Sequence, residues 1–284
     1  MTLIEDLREK SPFASGLMNG HVAMVTGGAS GLGRGIATAL ALAGATVAVA
    51  GRNTQTLAAF AAEMRREGCA IKTVTCDVRD PEAIVAAVDT AEGSLGTLDL
   101  LVNNAGATFS VPAEDLTPNG FRAVVETDAF GTFFMCQAFA KRLFIAGKAG
   151  AILNITSTSP ITGNPGRVHG GVGKAGVDSL TKSLAVEWGP RGIRVNALAP
   201  GYTPTQGVDT ATRMGTDRIG HLARVAQSVP LRRVGTIADI AWTSVFLLSP
   251  AASFITGASL TVDGGKWLSS GRYFDASGAT PAAN

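Results

Sequence analysis

Hydrophobic positions recur along this chain in two rhythms. Short apolar runs, HVAMVTG, TVAVAG, IKTVTC, LDLLVNN, AILNITS, IRVNALAP and SLTVDGG, read as seven strands. Between them apolar residues return every three or four positions, as in GRGIATALALAG, TLAAFAAEMRREG, NGFRAVVETDAFGTFFMCQAFAKRLFIAG and GKAGVDSLTKSLAVEWG. That period belongs to helices with one buried face. Strands apolar throughout that alternate with such helices predict a parallel sheet covered on both faces, an α/β fold of the doubly wound type. Two helices stand out by length, at about 117–147 and about 172–188.

The alternation is unbroken enough to predict one domain, and 284 residues suit one large α/β domain. Three stretches depart from it. Residues 1–18 read as a polar arm with a short helix, ahead of a catalytic domain over 19–266. Residues 204–235 interrupt the path to the last strand, and an insertion near strand C-termini is expected to cover the ligand crevice as a lid. Within it Asp209, Arg213, Asp217 and Arg218 read as a solvated helix face. Residues 267–284 read as a loose, small-residue tail.

Charge narrows the function classes. The formal net charge is +2 and basic residues are scattered, which argues against a nucleic-acid partner. No apolar run approaches the roughly 20 residues of a membrane span. The opening MTLIEDLREK has no apolar leader segment, and Cys69, Cys76 and Cys136 lack metal-ligand spacing, so no metal site is expected. Three reduced thiols predict a cytoplasmic protein.

VTGGASGLGRGIA joins the first strand to the first helix, with Gly27, Gly31 and Gly33 spaced G-x-x-x-G-x-G. Glycines here let the chain turn tightly and let a pyrophosphate approach the amides of the helix N-terminus, which predicts a dinucleotide site. The second strand ends at Gly51 and Arg52, where a carboxylate would be needed for a free ribose diol. A guanidinium suits a 2′-phosphate instead, and Ser30 can add a hydrogen bond. NADP(H) is therefore expected over NAD(H).

TGGASGLG, CDV (76–78), NNAG (103–106), the serine after NIT, the lysine of GKAG and PGYTPT (200–205) occur in the order and spacing of the short-chain dehydrogenase/reductase family. The resemblance spans roughly residues 20–265. It implies a Rossmann-like domain, a homotetramer assembled through two long helices, and a small-molecule substrate. It also implies that Asp77 and Val78 hold the adenine and that Asn104, Ala105 and Gly106 line the cofactor. Leu32 in the glycine turn and Thr203 and Thr205 in PGYTPT join the same set, with Thr205 reaching the nicotinamide carboxamide or the phosphates.

The family's catalytic set is asparagine, serine, tyrosine and lysine. Ser157 and Lys174 match; Asp128 stands at the asparagine position and Gly170 at the tyrosine position. Only Tyr202 and Tyr273 occur in the chain, so no shift of register restores the tyrosine. Ketone reduction leaves an alkoxide that needs a positioned acid at once. Reduction of a conjugated thioester spreads the charge into an enolate, which needs donors on oxygen and a later proton on carbon. The substitutions therefore favour C=C reduction. The pattern resembles the peroxisomal-type 2,4-dienoyl-CoA reductase branch, by the D-x-x-G-T-F stretch at Asp128, the pair Val168–His169, LAVEWGPRGIRVNALAPG and DGGKWL. By that resemblance Asp128 supplies the proton, through water, and Lys174 binds the nicotinamide ribose as well as serving catalysis with Ser157. The chain departs from the branch in keeping Ser157 and in lacking a peroxisomal C-terminal tripeptide.

His169 reads as a packing residue with reserve as an acid; His21 and His221 read as structural. Two other functions stay open at this point. One is a carbonyl reductase or alcohol dehydrogenase whose proton comes from Asp128, His169 or Tyr202. The other is a cofactor-binding scaffold without catalysis, against which the retained Ser157 and Lys174 argue.

Overall fold

The structure, a computed structural model, describes residues 2–205, 207 and 217–269. Helix α1 (Leu3–Glu9) leads to β1 (Val22–Thr26), α2 (Gly31–Leu42), β2 (Thr46–Gly51), α3 (Thr54–Arg66), β3 (Ile71–Thr75), α4 (Pro81–Leu95) and β4 (Leu100–Asn103). Next come α5 (Pro118–Val125), a single π turn (Glu126–Phe130), α6 (Gly131–Ala146) and β5 (Gly150–Ile155). The short α7 (Ser159–Thr162) and long α8 (Val168–Trp188) precede β6 (Ile193–Pro200). Helices α9 (Arg218–Gln227) and α10 (Ile237–Leu248) lead to β7 (Ser259–Val262).

All seven strands are parallel, in the order β3-β2-β1-β4-β5-β6-β7. Alternate residues of each strand point to opposite faces. Val25, Val47, Val102 and Leu153 meet α2, α3 and α10 on one face. Met24, Ala48, Leu101 and Ile152 meet α4, α6 and α8 on the other. Both faces are dry, which is why the strands are apolar runs without polar alternation. The N-terminal arm joins this packing: Ile4, Leu7 and Met18 are buried against the first face. Arg194 on β6 donates to the carbonyls of Leu247 (2.9 Å) and Leu248 (3.1 Å), closing the C-terminus of α10.

Two helices differ from expectation. The helix predicted over 117–147 is interrupted by the π turn, whose extra residue puts Asp128 inward among buried neighbours. Gly131 fixes the register there, since a Cβ would lie 2.9 Å from the Val78 carbonyl. Helix α8 begins at Val168, so Lys174 lies in its second turn and not its first. Gly170, Gly171 and Gly173 are poor helix formers and hide that start in the sequence.

In the expected lid, Asp217 caps α9 by accepting from the Gly220 N–H (2.8 Å), and Arg218 opens the helix. Asp209, Arg213 and Tyr273 lie outside the described residues, as does all of the expected tail after Ser269. Among the described residues no helix is long and apolar enough to cross a membrane.

Candidate active site

Strand order reverses between β1 and β4, and there the strand C-termini open into a crevice of ≈ 760 Å³. Gly27 has φ 62°, which glycine adopts without strain, and turns the chain from β1 toward α2. A side chain on Gly33 would collide with the Gly27 carbonyl and the Asn104 amide. That amide donates to the Thr26 (3.0 Å) and Gly27 (3.3 Å) carbonyls. Thr26 Oγ1 accepts from the N–H groups of Asn104 and Ala105, both at 3.0 Å. The glycine turn and the NNAG segment are thus one hydrogen-bonded unit. Ser30 stands exposed at the N-cap of α2 with no side-chain cap bond.

Arg52 is exposed at the end of β2 on the crevice wall, beside Asn53, which caps α3. Across from β2, Asp77 is gripped in two-pronged fashion by Arg79, at 3.0 Å from Nε and 2.5 Å from a terminal nitrogen. These Arg79 bonds, with the Arg52 charge adding a little, hold the Asp77 carboxyl down at about 2. Of the predicted cofactor set, Gly27, Ser30, Arg52, Asp77, Val78, Asn104, Ala105 and Gly106 wall the crevice. Gly31, Leu32 and Gly33 form the first turn of α2 beneath it. Thr205 faces Gly31, and Thr203 is buried behind, donating to the Gly201 carbonyl (3.3 Å).

Gly106 links this wall to the acid–base cluster: a Cβ there would sit 3.0 Å from Asp128 Oδ1 and 3.4 Å from Lys174 Nζ. Asp128 is 1% exposed, accepts from the Ala107 N–H (3.0 Å), and lies 3.7 Å from Lys174 Nζ. Burial pushes its carboxyl above the ordinary value, and the Lys174 ammonium and Ala107 N–H offset only part of this. Lys174 Nζ donates to the Ile155 carbonyl (2.9 Å), which anchors it at the end of β5. Gly173 lets α8 come close, since a Cβ there would be 2.9 Å from Asp128 Cβ. Ser157 lies just beyond β5, where its Oγ accepts from the Ser159 N–H (3.3 Å). At Gly170 a Cβ would meet, among the described residues, only Thr108 Oγ1, at 3.8 Å, so no described neighbour crowds the place where a side chain would start. Tyr202 stacks toward His221, with ring centroids 5.5 Å apart, and His21 Nδ1 pairs with Asp99 (2.6 Å) at the N-terminal ends of β1 and β4, the end of the sheet away from the crevice.

A dinucleotide crevice joined to a buried carboxyl–lysine pair is the geometry of a hydride-transfer site. Residues 27–266 match the family model described as enoyl-(acyl carrier protein) reductase. The chain belongs to the short-chain dehydrogenase/reductase family. It is an NAD(P)-dependent oxidoreductase resembling the 2,4-dienoyl-CoA reductase branch. A probable 2,4-dienoyl-CoA reductase of Bacillus subtilis is 41% identical over 88% of this chain and 98% of its own. The peroxisomal 2,4-dienoyl-CoA reductase of Danio rerio is 38% identical over 91% of this chain and 85% of its own. In structure, a gluconate 5-dehydrogenase from Burkholderia cenocepacia, in complex with NADP and tartrate, superposes with a TM-score of 0.82. It is 31% identical, with 88% of this chain and 96% of that one covered.

Sequence reading did not foresee four features of this family member's site. They are the Arg79 grip on Asp77, the Thr26 hydroxyl that binds NNAG, the Ala107 N–H on Asp128 and the π turn. Arg79 alone had a local signal, in the CDVRD stretch two residues past Asp77.

Proposed function

We propose that the protein is an NADPH-dependent reductase of a conjugated enoyl or dienoyl thioester, a 2,4-dienoyl-CoA by preference. The observation that carries this is the pairing of an uncrowded Gly170 with a buried, up-shifted Asp128 beside Lys174. No phenol stands at position 170 to protonate an alkoxide, whereas a carboxyl that burial makes a weaker acid suits slow protonation of an enolate carbon.

The crevice fits a dinucleotide, because the Gly27 and Gly33 backbone would be blocked by any side chain and the α2 N-terminus faces it. Ser30, Arg52, Asp77 and Asn104 to Gly106 would hold the cofactor, and Arg52, with Ser30 beside it, favours a 2′-phosphate. When bound, the reduced nicotinamide supplies a hydride to the far carbon of the conjugated system. Lys174 positions the ribose and keeps positive charge near the developing enolate. Ser157 donates to the thioester oxygen, and Asp128 gives the proton to carbon through water, leaving one double bond and an intact thioester. Assembly as a homotetramer belongs to the same reading.

The test is product analysis with deuterium on the transferred position of NADPH. Deuterium on a carbon of the former diene, with thioester retained, is the expected result. Deuterium on a carbinol carbon would overturn it. The NADPH preference is checked by Arg52→Asp, which should erase or reverse it, since a carboxylate repels the 2′-phosphate and suits a diol. Equal dissociation constants for both cofactors in the parent would contradict the preference.

A further inference from the structure

Beneath the Asp128–Lys174 pair, the dry face of the sheet carries polar side chains that the chemistry above leaves unused. Asn103 at the end of β4 and Asn154 of β5 are register partners, buried on the face that α6 and α8 cover. The Asn103 amide donates to Asn154 Oδ1 (2.9 Å) and to Cys136 Sγ on α6 (3.1 Å). The Asn154 amide donates to Thr181 Oγ1 on α8 (3.0 Å), and that hydroxyl donates to the Val177 carbonyl (2.8 Å). Apolar side chains would fill the same space with no polar group to satisfy; what the hydrogen bonds add is direction.

The level above depends on that direction. Thr181 follows Lys174 by seven residues, two helical turns, so both project from one side of α8, about 10 Å apart along its axis. Cys136 follows Asp128 by eight, again two turns once the extra residue of the π turn is counted. At the level of Lys174 the helix has no side chains to interlock with its neighbour. Gly173 and Gly176 lay bare backbone against Asp128 and Ala129, where a Cβ would come within 2.9 and 3.2 Å of the facing Cβ atoms. The other ties of α8 there come from the two residues after Asn154: the Ile155 carbonyl accepts from Lys174 Nζ (2.9 Å), and Thr156 Oγ1 donates to the Lys174 carbonyl (3.3 Å).

We propose that Asn154 is a positioning residue for hydride transfer: through Thr181 it sets the height and rotation of α8, and so holds Lys174 opposite Asp128. The inference rests on the roles given above to those two residues.

The test compares Thr181→Val, which keeps the shape but cannot accept from Asn154, with Thr181→Ser, which keeps the hydroxyl. In Thr181→Val, kcat for a dienoyl-CoA with NADPH should fall about tenfold or more, the effect of a small misplacement of a reacting group. The charged and titratable groups acting on Asp128 are Lys174 and the buried His169, whose ring nitrogens have no partner among the described residues. A more distant Lys174 lowers the Asp128 carboxyl less, so the falling limb of the pH profile should move to higher pH. By calorimetry NADPH should bind several-fold more weakly, whereas ADP, which has no nicotinamide ribose for Lys174 to hold, should bind as in the parent. Thr181→Ser should restore all three readings. Asn154→Leu combined with Thr181→Val removes the bond and leaves neither partner unpaired, so melting should approach the parent's while the same losses persist.

Parent values of kcat, pH limb and NADPH affinity in Thr181→Val or in the combined variant overturn the proposal, whatever the melting temperature. Equal losses of NADPH and ADP affinity, or a Thr181→Ser as impaired as Thr181→Val, would mark general loosening and overturn it too. A parent that leaves dienoyl-CoA untouched removes the proposed reaction, and the comparison of NADPH with ADP then decides this proposal by itself.

Discussion

Asp128 is the residue on which opposing electrostatic effects meet. Desolvation raises its carboxyl, Lys174 and the Ala107 N–H pull it down, and burial wins. As a proton donor it must be in its acid form, so turnover should decline as pH rises through a value above the ordinary aspartate value of about 3.9. Asp128→Asn keeps size and hydrogen bonding but has no transferable proton. Its kcat should fall by about two to four orders of magnitude, with the NADPH dissociation constant within a few-fold; parent-like turnover and pH profile would reduce Asp128 to a helix residue. Gly170→Tyr tests the neighbouring space. Among the described residues only Thr108 comes within 4 Å of a Cβ at that position, so a side chain can start there without a clash. Native turnover should drop and weak ketone reduction should emerge, read from the same absorbance assay. Unchanged native turnover would put position 170 outside the working site.

At the scale of elements, the parallel sheet was legible because every strand is dry on both faces and appears as a continuous apolar run. That several of the candidate cofactor residues line one crevice was legible because their spacing is tied to strand ends. The π turn was not, because the apolar period runs on through residues 119–147 and nothing local marks an extra residue. The Arg79–Asp77 grip, the Ile155 anchor of Lys174 and the unpaired His169 ring depend on residues that meet only in the fold. Helix α10 offers a separate test. Thr236 accepts from the Asp239 N–H (3.2 Å) while Asp239 accepts from the Thr236 N–H (2.7 Å), and Arg233 pairs with both Asp239 oxygens. These contacts, Arg233 first, hold the Asp239 carboxyl at about 2. A depressed acid stabilises above its unfolded value and loses that stabilisation as pH falls toward its folded value. Asp239→Asn should therefore cost about 1 kcal/mol at neutral pH, and the gap in melting temperature from the parent should shrink between pH 4 and pH 2. An equal gap at both ends would contradict this.

At the scale of the whole molecule, apolar surface remains outside the two cores. Val186 and Phe254 are 80% and 103% exposed, on segments brought together where Gly257 packs on Ala185. Such surface suits burial against another copy. Sedimentation should give a mass near four times 29.0 kDa, and Phe254→Asp should reduce it; a monomer at micromolar concentration would contradict the homotetramer. The reaction itself is a property of the assembled site. Its most direct measurement is kcat/KM, with NADPH, for a 2,4-dienoyl-CoA against the 3-ketoacyl-CoA of equal chain length. A site with Asp128 and an uncrowded Gly170 should prefer the dienoyl substrate by about 10²-fold or more. Equal values, or a preference for the ketone, would contradict reduction of the conjugated thioester.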